Sequence, residues 1–281
     1  MAANSLPRRV VKRLIAPVLT ESTYSLFQAV AMGWDIRRGT WWEPELELID
    51  RVVREGDTVV DIGANYGLWA YHASRAVGRA GKVYSYEPIP FTARTFRLIG
   101  RALGFLGNVE LVNKGVGEKA GTIEFTVPVQ DGVAISAGLV HMEGRRDARP
   151  GKEIHARFEK TKNVACEVVT IDEHLAGVER VTLLKCDIEG ADLYAMRGAR
   201  RLLETQKPVV IIEITPWFLE GFGFTVADVY GFFEELGYRC YHYDDGGRLT
   251  VAPLDRIVED NWVFVHPDTS QRLRSIMPAE A

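Results

Sequence analysis

The chain predicts an α/β fold with a mostly parallel sheet covered by helices on both faces, and two observations carry that prediction. From Thr58 onward, short continuous apolar runs alternate with segments of helical spacing, the pattern of strands buried on both faces. The first run, Val59-Val60-Asp61-Ile62, opens into Gly63-Ala64-Asn65-Tyr66-Gly67. Such a strand-to-helix turn has almost no side chain in its way, so a ligand can approach its backbone closely.

In chain order, residues 8–31 read as one or two helices broken near Pro17, because proline cannot continue a helix. Pro44 is a favoured first helical residue, with Glu45 and Glu47 in the first turn and Leu46, Leu48, Ile49, Val52 and Val53 at helical spacing. Strands are expected at 58–62, 82–87 and 109–112, and helices at 66–77 and 90–103, the second closed by Gly104. Further strands are expected at Thr122–Val127, Cys166–Thr170, Val181–Asp187 and Pro208–Ile214. Helices are expected at Ala191–Glu204 and Thr225–Leu236, and Tyr238–Tyr243 with Asn261–His266 reads as a final antiparallel pair. Residues 1–55 form an N-terminal helical segment packing on or capping the core, and residues 56–281 the main domain. The polar stretch at about 128–163, rich in glycine and arginine, reads as an insertion near the site of a second substrate.

Composition narrows the class. The 281 residues are 47% hydrophobic and 26% charged, the make-up of an ordinary globular protein with a substantial core. A formal charge of −4 gives no general attraction to nucleic acid. Cys166, Cys186 and Cys240 are odd in number and lack metal-ligand spacing, which fits a reducing, cytoplasmic location. No run reaches the ~18 apolar residues of a membrane span. Arg8, Arg9, Lys12 and Arg13 flank a short apolar stretch that reads as an amphipathic helix on the domain, with weak membrane-surface association as the alternative. The N-terminal helices are also a candidate homo-oligomer surface.

Three features fall at the ends of expected parallel strands, where such sheets bind ligands. One is the turn after Asp61. Another is Glu87, followed by Pro88, which is placed to hydrogen-bond both hydroxyls of a ribose; its bland reading is a surface glutamate. The third is Lys185-Cys186-Asp187-Ile188-Glu189-Gly190. Continued strand geometry would project Lys185, Asp187 and Glu189 to one face. Charges there are costly to bury unless paired or used on a ligand. The turn has Ala64 and Asn65 where a pyrophosphate-binding Gly-x-Gly-x-x-Gly would have its second glycine. No Gly-Lys-Ser/Thr phosphate loop is present in the sequence. A nucleoside carrying an amino acid and no phosphate, S-adenosylmethionine, suits this turn better.

Together these motifs resemble the FkbM family of class I S-adenosylmethionine-dependent methyltransferases over roughly residues 41–214. The resemblance runs through Trp42-Glu43-Pro44-Glu45, VVDIGANYG at 59–67, Tyr86-Glu87-Pro88 and Val112-Asn113-Lys114-Gly115-Val116-Gly117. It continues through Val169-Thr170-Ile171-Asp172, KCDIEGADLYAMRGA at 185–199 and Ile211-Ile212-Glu213-Ile214. Trp42 stands where the family often has Tyr, and Gly115 and Gly117 where it often has Ala and Ser.

The resemblance implies a Rossmann-like, mostly parallel seven-stranded sheet with an antiparallel C-terminal strand. It places Asp61, Gly63, Ala64, Asn65, Tyr66 and Gly67 around the methionine part of the cofactor, Glu87 and Pro88 at the ribose, and Asn113 or its neighbours at the adenine. Glu43 reaches in from the preceding segment, and Asp187 and Glu189 face the methyl group and the acceptor. The expected reaction is O-methylation of a hydroxyl on a small molecule, sugar or natural-product scaffold, with Asp187 or Glu189 orienting or deprotonating it. His141 is the alternative base, ahead of His72 and His155. A Mg²⁺ ion on Asp187 with Glu189 or Glu213 would acidify the hydroxyl instead. Trp41 and Trp42 either line the acceptor pocket or pack the entry to the next helix. Methylation of RNA or protein is a competing reading, supported by Arg145, Arg146, Arg149 and Lys152 in the insertion. A non-catalytic cofactor-binding scaffold is another.

Overall fold

The computed structural model describes residues 20–130, 134–135, 141–142, 160–258 and 260–278. The expected helix before Pro17, His155 and the insertion's arginines lie outside the described residues. Strands, numbered along the chain, begin with β1 (Thr58–Ile62), β2 (Lys82–Tyr86), β3 (Val109–Val112), β4 (Gly115–Val116) and β5 (Gly121–Gln130). Next come β6 (Ala134–Ile135), β7 (His141–Met142), β8 (Lys160–Val169), β9 (Leu183–Cys186) and β10 (Val209–Ile214). The last are β11 (Arg239–Tyr243), β12 (Leu249–Val251) and β13 (Asp260–Val265).

The main sheet has the order β12-β11-β13-β10-β9-β1-β2-β3. β10, β9, β1, β2 and β3 are mutually parallel, and β13 runs antiparallel between β10 and β11. The expected sheet with its antiparallel C-terminal strand is therefore present. Its edge carries one further strand, β12, which hairpins back on β11 through a turn where Gly247 takes φ +72°. The chain winds from β1 outward to β3, then returns to β9 on the other side of β1. That reversal opens a crevice at the carboxyl ends of β1 and β9.

The expected strands at 122–127 and 166–170 do not join this sheet. They lengthen into β5 and β8, which pair antiparallel in a second sheet of order β4-β8-β5-β6, with β7 also on β5. Their alternation of exposed and buried residues gives one apolar face, which is what an antiparallel pair covering another layer requires.

Side-chain alternation divides the core of the main sheet. Val59, Leu183, Val209 and Ile211 pack on one face with Leu48, Ile49, Ala70, Phe96 and Ile99. Val60, Ile62, Leu184, Val210 and Ile212 pack on the other with Leu193, Leu203, Phe233 and Phe264. Helices over the first face are α1 (Glu21–Arg38), α2 (Leu46–Val52), α3 (Leu68–Val77) and α4 (Pro90–Leu103). The Thr20 hydroxyl caps α1 and Gly39, at φ +66°, ends it. α1 lies along α4, with Ser25 and Thr95 hydrogen-bonded at 2.8 Å in the buried seam.

Beyond β8 follow α5 (Ile171–His174), α6 (Asp192–Arg197), α7 (Arg200–Gln206), α8 (Pro216–Gly221) and α9 (Val226–Glu235). α9 has a capping box between Thr225 and Asp228. The single helix expected over Ala191–Glu204 is in fact two, α6 and α7, broken at Gly198. Asp172 sits in the break: its N–H donates to the Gly198 carbonyl, and its carboxylate accepts the N–H groups of Arg201 and Leu202. The turn after β4 also presses on this point, where a Cβ at Gly198 would lie 2.0 Å from the Gly117 carbonyl oxygen. Gly198→Ala is expected to cost roughly 1–3 kcal/mol, as overpacking does, measured by urea unfolding; an unchanged midpoint would show that the two layers do not need this approach.

Candidate active site

The crevice at the switch point is a cleft of about 390 Å³, within the range of small-ligand sites. The β1 turn makes its floor. Gly63 has φ +81°, and a Cβ there would stand 2.0 Å from the Asp187 carbonyl oxygen. The same juncture is closed by the Asp187 N–H, which donates to Ile62 O at 3.1 Å. Asn65 is also left-handed, at φ 48°, and its N–H donates to Glu87 Oε2 at 3.1 Å. Gly67 sits against the Phe96 ring with φ +91° and starts α3. The expected helix at 66–77 therefore begins two residues later. Ala64 and Tyr66 are buried beneath the turn.

Glu87 is almost fully buried, and its two oxygens accept the N–H groups of Asn65 and Ile89. Burial pushes its carboxyl up to about 8 despite those bonds. Asn113 does not line the cleft. Its amide donates to the carbonyls of Glu87 and Pro88 at 2.7 and 3.0 Å and braces the loop that carries Glu87. Its neighbours Lys114, Gly115 and Val116 do line the cleft, with Pro88, Ile123, Phe125 and Val168. The second sheet thus supplies one wall.

On the other side stand Asp187, Ile188, Glu189, Glu213, Phe218 and Phe222. Strand geometry ends at Cys186, so Lys185, Asp187 and Glu189 do not share a strand face: Glu189 is left-handed at φ 54°. Asp192 holds this turn by accepting the N–H groups of Ile188 and Gly190 at 3.1 and 2.9 Å. Lys185, nearly fully buried, donates to Asp187 Oδ2 at 3.1 Å. Although burial disfavours its charge, Asp187, Asp61 and Glu43 keep its ammonium above the usual lysine range. Burial likewise opposes ionisation of Asp187, yet Lys185 and a hydrogen bond from Glu213 hold its carboxyl below the usual value. Glu213 is pushed up to about 9, first by burial and then by Asp187. Lys185 thus favours the ionised form of Asp187, and Asp187 in turn favours the protonated form of Glu213.

Asp61 lies behind the turn, fully buried. Burial raises its carboxyl to about 6, with Lys185 pulling the other way. Glu43 accepts the Trp69 indole N–H at 2.6 Å and reaches this charge cluster from behind. Trp41 packs on the core, matching the packed helix entry, whereas Trp42 stands edge-on against His72 and is 47% exposed; neither lines the cleft. His72 also stays outside it, held between Trp42 and Tyr71. His141 falls on β7, opposite Thr126, and its side chain lies outside the described residues. Asp192, Phe218 and Phe222 were not expected. Asp192 had a readable signal, an acidic residue two positions after Gly190 at a helix start; the phenylalanines had none.

An open sheet with its reversal at β1, a glycine-rich first turn and an acid after β2 defines the class I S-adenosylmethionine-dependent methyltransferase fold. Residues 61–240 match the Methyltransferase FkbM domain, and the chain belongs to that family. Methyltransferase sdnD of Sordaria araneosa is 28% identical over 197 residues, covering 60% of this chain and 74% of that one. Protein-L-isoaspartate O-methyltransferase 2 of Archaeoglobus fulgidus is 44% identical over 66 residues, 24% of this chain and 29% of that protein. Among solved structures, Methyltransferase FkbM from Methylobacillus flagellatus is 17% identical with a TM-score of 0.45, over 80% of this chain and half of that one. The chain thus spans less than a third of the A. fulgidus relative.

S-adenosylmethionine is the cofactor of this family, and the cleft fits it. Asn65, which lines the cleft, has its Oδ1 buried without a hydrogen-bond partner, which is costly unless a ligand or water completes it. Among the described residues no group of three or more His, Cys, Asp and Glu is arranged to hold a metal ion.

The raised carboxyls make stability pH-dependent. Glu87 and Glu213 bind protons more tightly folded, at about 8 and 9, than at the unfolded value near 4.5. Stability is then complete below that unfolded value and is lost as pH rises through 8 to 9. The melting temperature of the unliganded protein is expected to fall from pH 6 to pH 9 by at least about 3 °C. Glu213→Gln, which cannot ionise, is expected to flatten that fall; an identical slope in the variant would mean that Glu213 does not hold the proton.

Proposed function

We propose that the protein is an O-methyltransferase acting on a hydroxyl of a small molecule, sugar or natural-product scaffold. The observation that carries this reading is the Asp187–Glu213 pair at the cleft, with the Lys185 ammonium 3.1 Å from Asp187 Oδ2. S-adenosylmethionine, when bound, supplies an electrophilic sulfonium methyl group. Asn65, Gly63 and Glu87 would hold it, with Asp61 supporting the turn. Asp187 accepts the hydrogen bond of the acceptor hydroxyl and aligns its oxygen. As the methyl–oxygen bond formed and the methyl–sulfur bond broke, releasing S-adenosylhomocysteine, the hydroxyl proton would pass to Asp187, whose anion Lys185 stabilises until then. Glu189 and Phe218 border the same space and shape the acceptor. Residues 20–55 cap the core from the α1–α4 side.

The cleft also bears on the nucleic-acid alternative. Among the described residues its lining holds one lysine, Lys114, together with Asp187 and Glu189, a balance that offers little attraction to a phosphate backbone. The same two carboxyls, Asp187 and Glu213, are where Mg²⁺ would bind once Glu213 lost its proton, with solvent or substrate completing the shell. Activity that survives exhaustive chelation would assign them to proton holding instead.

Incubation with methyl-labelled S-adenosylmethionine and a panel of sugars, hydroxylated scaffolds, RNA and proteins tests the proposal. Label is expected in a hydroxylated small molecule and stable to mild alkali, as an ether is and a methyl ester is not. Label retained on RNA or protein would overturn it. Asp187→Asn is expected to lower kcat by about 10²–10⁴-fold while leaving S-adenosylhomocysteine affinity within about threefold. Glu87→Gln is expected to weaken that affinity by about tenfold or more, read by isothermal titration; unchanged affinity would remove Glu87 from the cofactor site.

A further inference from the structure

Helix α1 spends one face on α4 and leaves a second apolar face in solvent. Leu26, Val30 and Trp34 stand at successive i+4 positions and are 55%, 67% and 53% exposed. A contiguous exposed stripe of this kind marks an interaction site more often than scattered exposed residues do. Around it the charge is mainly positive. The other exposed positions of α1 beyond its first residue are Ser22, Thr23, Arg37 and Arg38, so this face carries no carboxylate. The Arg38 guanidinium lies 4.1 Å from the Trp34 ring centre. At the opposite end Arg94 of α4 donates to Ser22 Oγ at 3.3 Å, which brings α4 alongside the same face. Arg101, two turns further along α4, is exposed as well. Glu21, 4.0 Å from Arg94, offsets part of this charge. All this sits on a chain whose formal net charge is −4, so the arginines are segregated there against the overall balance.

We propose that the outer face of α1 docks the protein on an anionic phospholipid bilayer. Leu26, Val30 and the amphipathic indole of Trp34 enter the headgroup boundary, while Arg37, Arg38 and Arg94 meet lipid phosphates. Among the described residues no helix is long and apolar enough to cross a membrane, so the attachment is peripheral. Charge complementarity selects this occupant: an apolar stripe ringed by guanidinium groups matches a surface that is apolar beneath and negative above.

The test is co-sedimentation of the full chain with vesicles of phosphatidylcholine, with and without phosphatidylglycerol. Binding is expected on the anionic vesicles, weaker on the neutral ones and declining with salt. Arg37→Ser/Arg38→Ser is expected to lower partitioning about 25-fold, since each arginine near an anionic surface contributes about fivefold. Leu26→Ser/Trp34→Ser is expected to lower it by about tenfold or more. All four positions are exposed, and circular dichroism verifies that the variants fold. Equal partitioning onto neutral and anionic vesicles would overturn the proposal, as would no partitioning at all. So would a dimer, seen by light scattering, that Leu26→Ser/Trp34→Ser dissociates, because the face would then belong to a second copy of the chain.

Discussion

The contact between Gly63 and the Asp187 carbonyl is the constraint from which the site is built. β1 and β9 are neighbours only because the chain reverses direction in the sheet, and their carboxyl ends must then leave side by side. With Cβ absent, the two exits can approach closely enough for Asp187 N–H to bond Ile62 O at 3.1 Å. A methyl group at 63 would collide with backbone, which cannot rotate away as a side chain can. The turn at 187–190 would be pushed into the cleft, and Asp192 would lose its hold on Ile188 and Gly190. One missing methyl therefore sets the donor turn and the acidic turn at their working distance.

Within that frame, Lys185 organises the charges. Asp61, Glu43 and Asp187 converge around one buried ammonium, and burying so many carboxyl groups without it would be prohibitive. The distribution is uneven. Asp187 takes the direct hydrogen bond and stays below the usual value, whereas Asp61, fully buried opposite Lys185 on β1, rises to about 6. Glu213 finds itself beside an anion already satisfied by lysine, so its least costly state is to keep its proton and donate it to Asp187. Two chemically similar carboxyls are thereby driven into different roles by position alone.

The donor side was legible because its physics is local. A glycine demanded by a left-handed turn, an acid ending a strand and apolar runs of strand length are properties of consecutive residues, and β1, β3 and α4 fall where the spacing puts them. What escaped depends on contacts distant in sequence. Nothing near residue 198 announces that Gly117 will press against it, so one helix was expected where two exist. The pairing of β5 with β8 joins segments separated by the insertion, and alternation alone does not say which sheet a strand joins. Asn113 carries the polarity suited to adenine, yet its amide is consumed by two carbonyls that only the folded loop presents. Phe218 in a short helix and Phe222 at its end are apolar residues indistinguishable from core until the cleft forms beside them.

The acceptor side also differs in how it is held. The donor turn is fixed by backbone hydrogen bonds and by glycines with no alternative, so its shape follows from the sheet. The opposite wall is assembled from a left-handed Glu189, a short helix with Phe218, and the strands β5 and β8 of a separate layer. These pieces touch the sheet through side chains, and replacing one changes the cavity without disturbing the fold. A family that keeps one methyl donor while changing acceptors would vary just such a wall. The Asp187–Glu213 pair lies where the two halves meet: its position belongs to the sheet, and the oxygen it would orient belongs to whatever the variable wall admits. Under the proposed reading, acceptor choice would fall to Phe218, Phe222, Glu189 and the β5–β8 layer, while the chemistry would stay with β9 and β10.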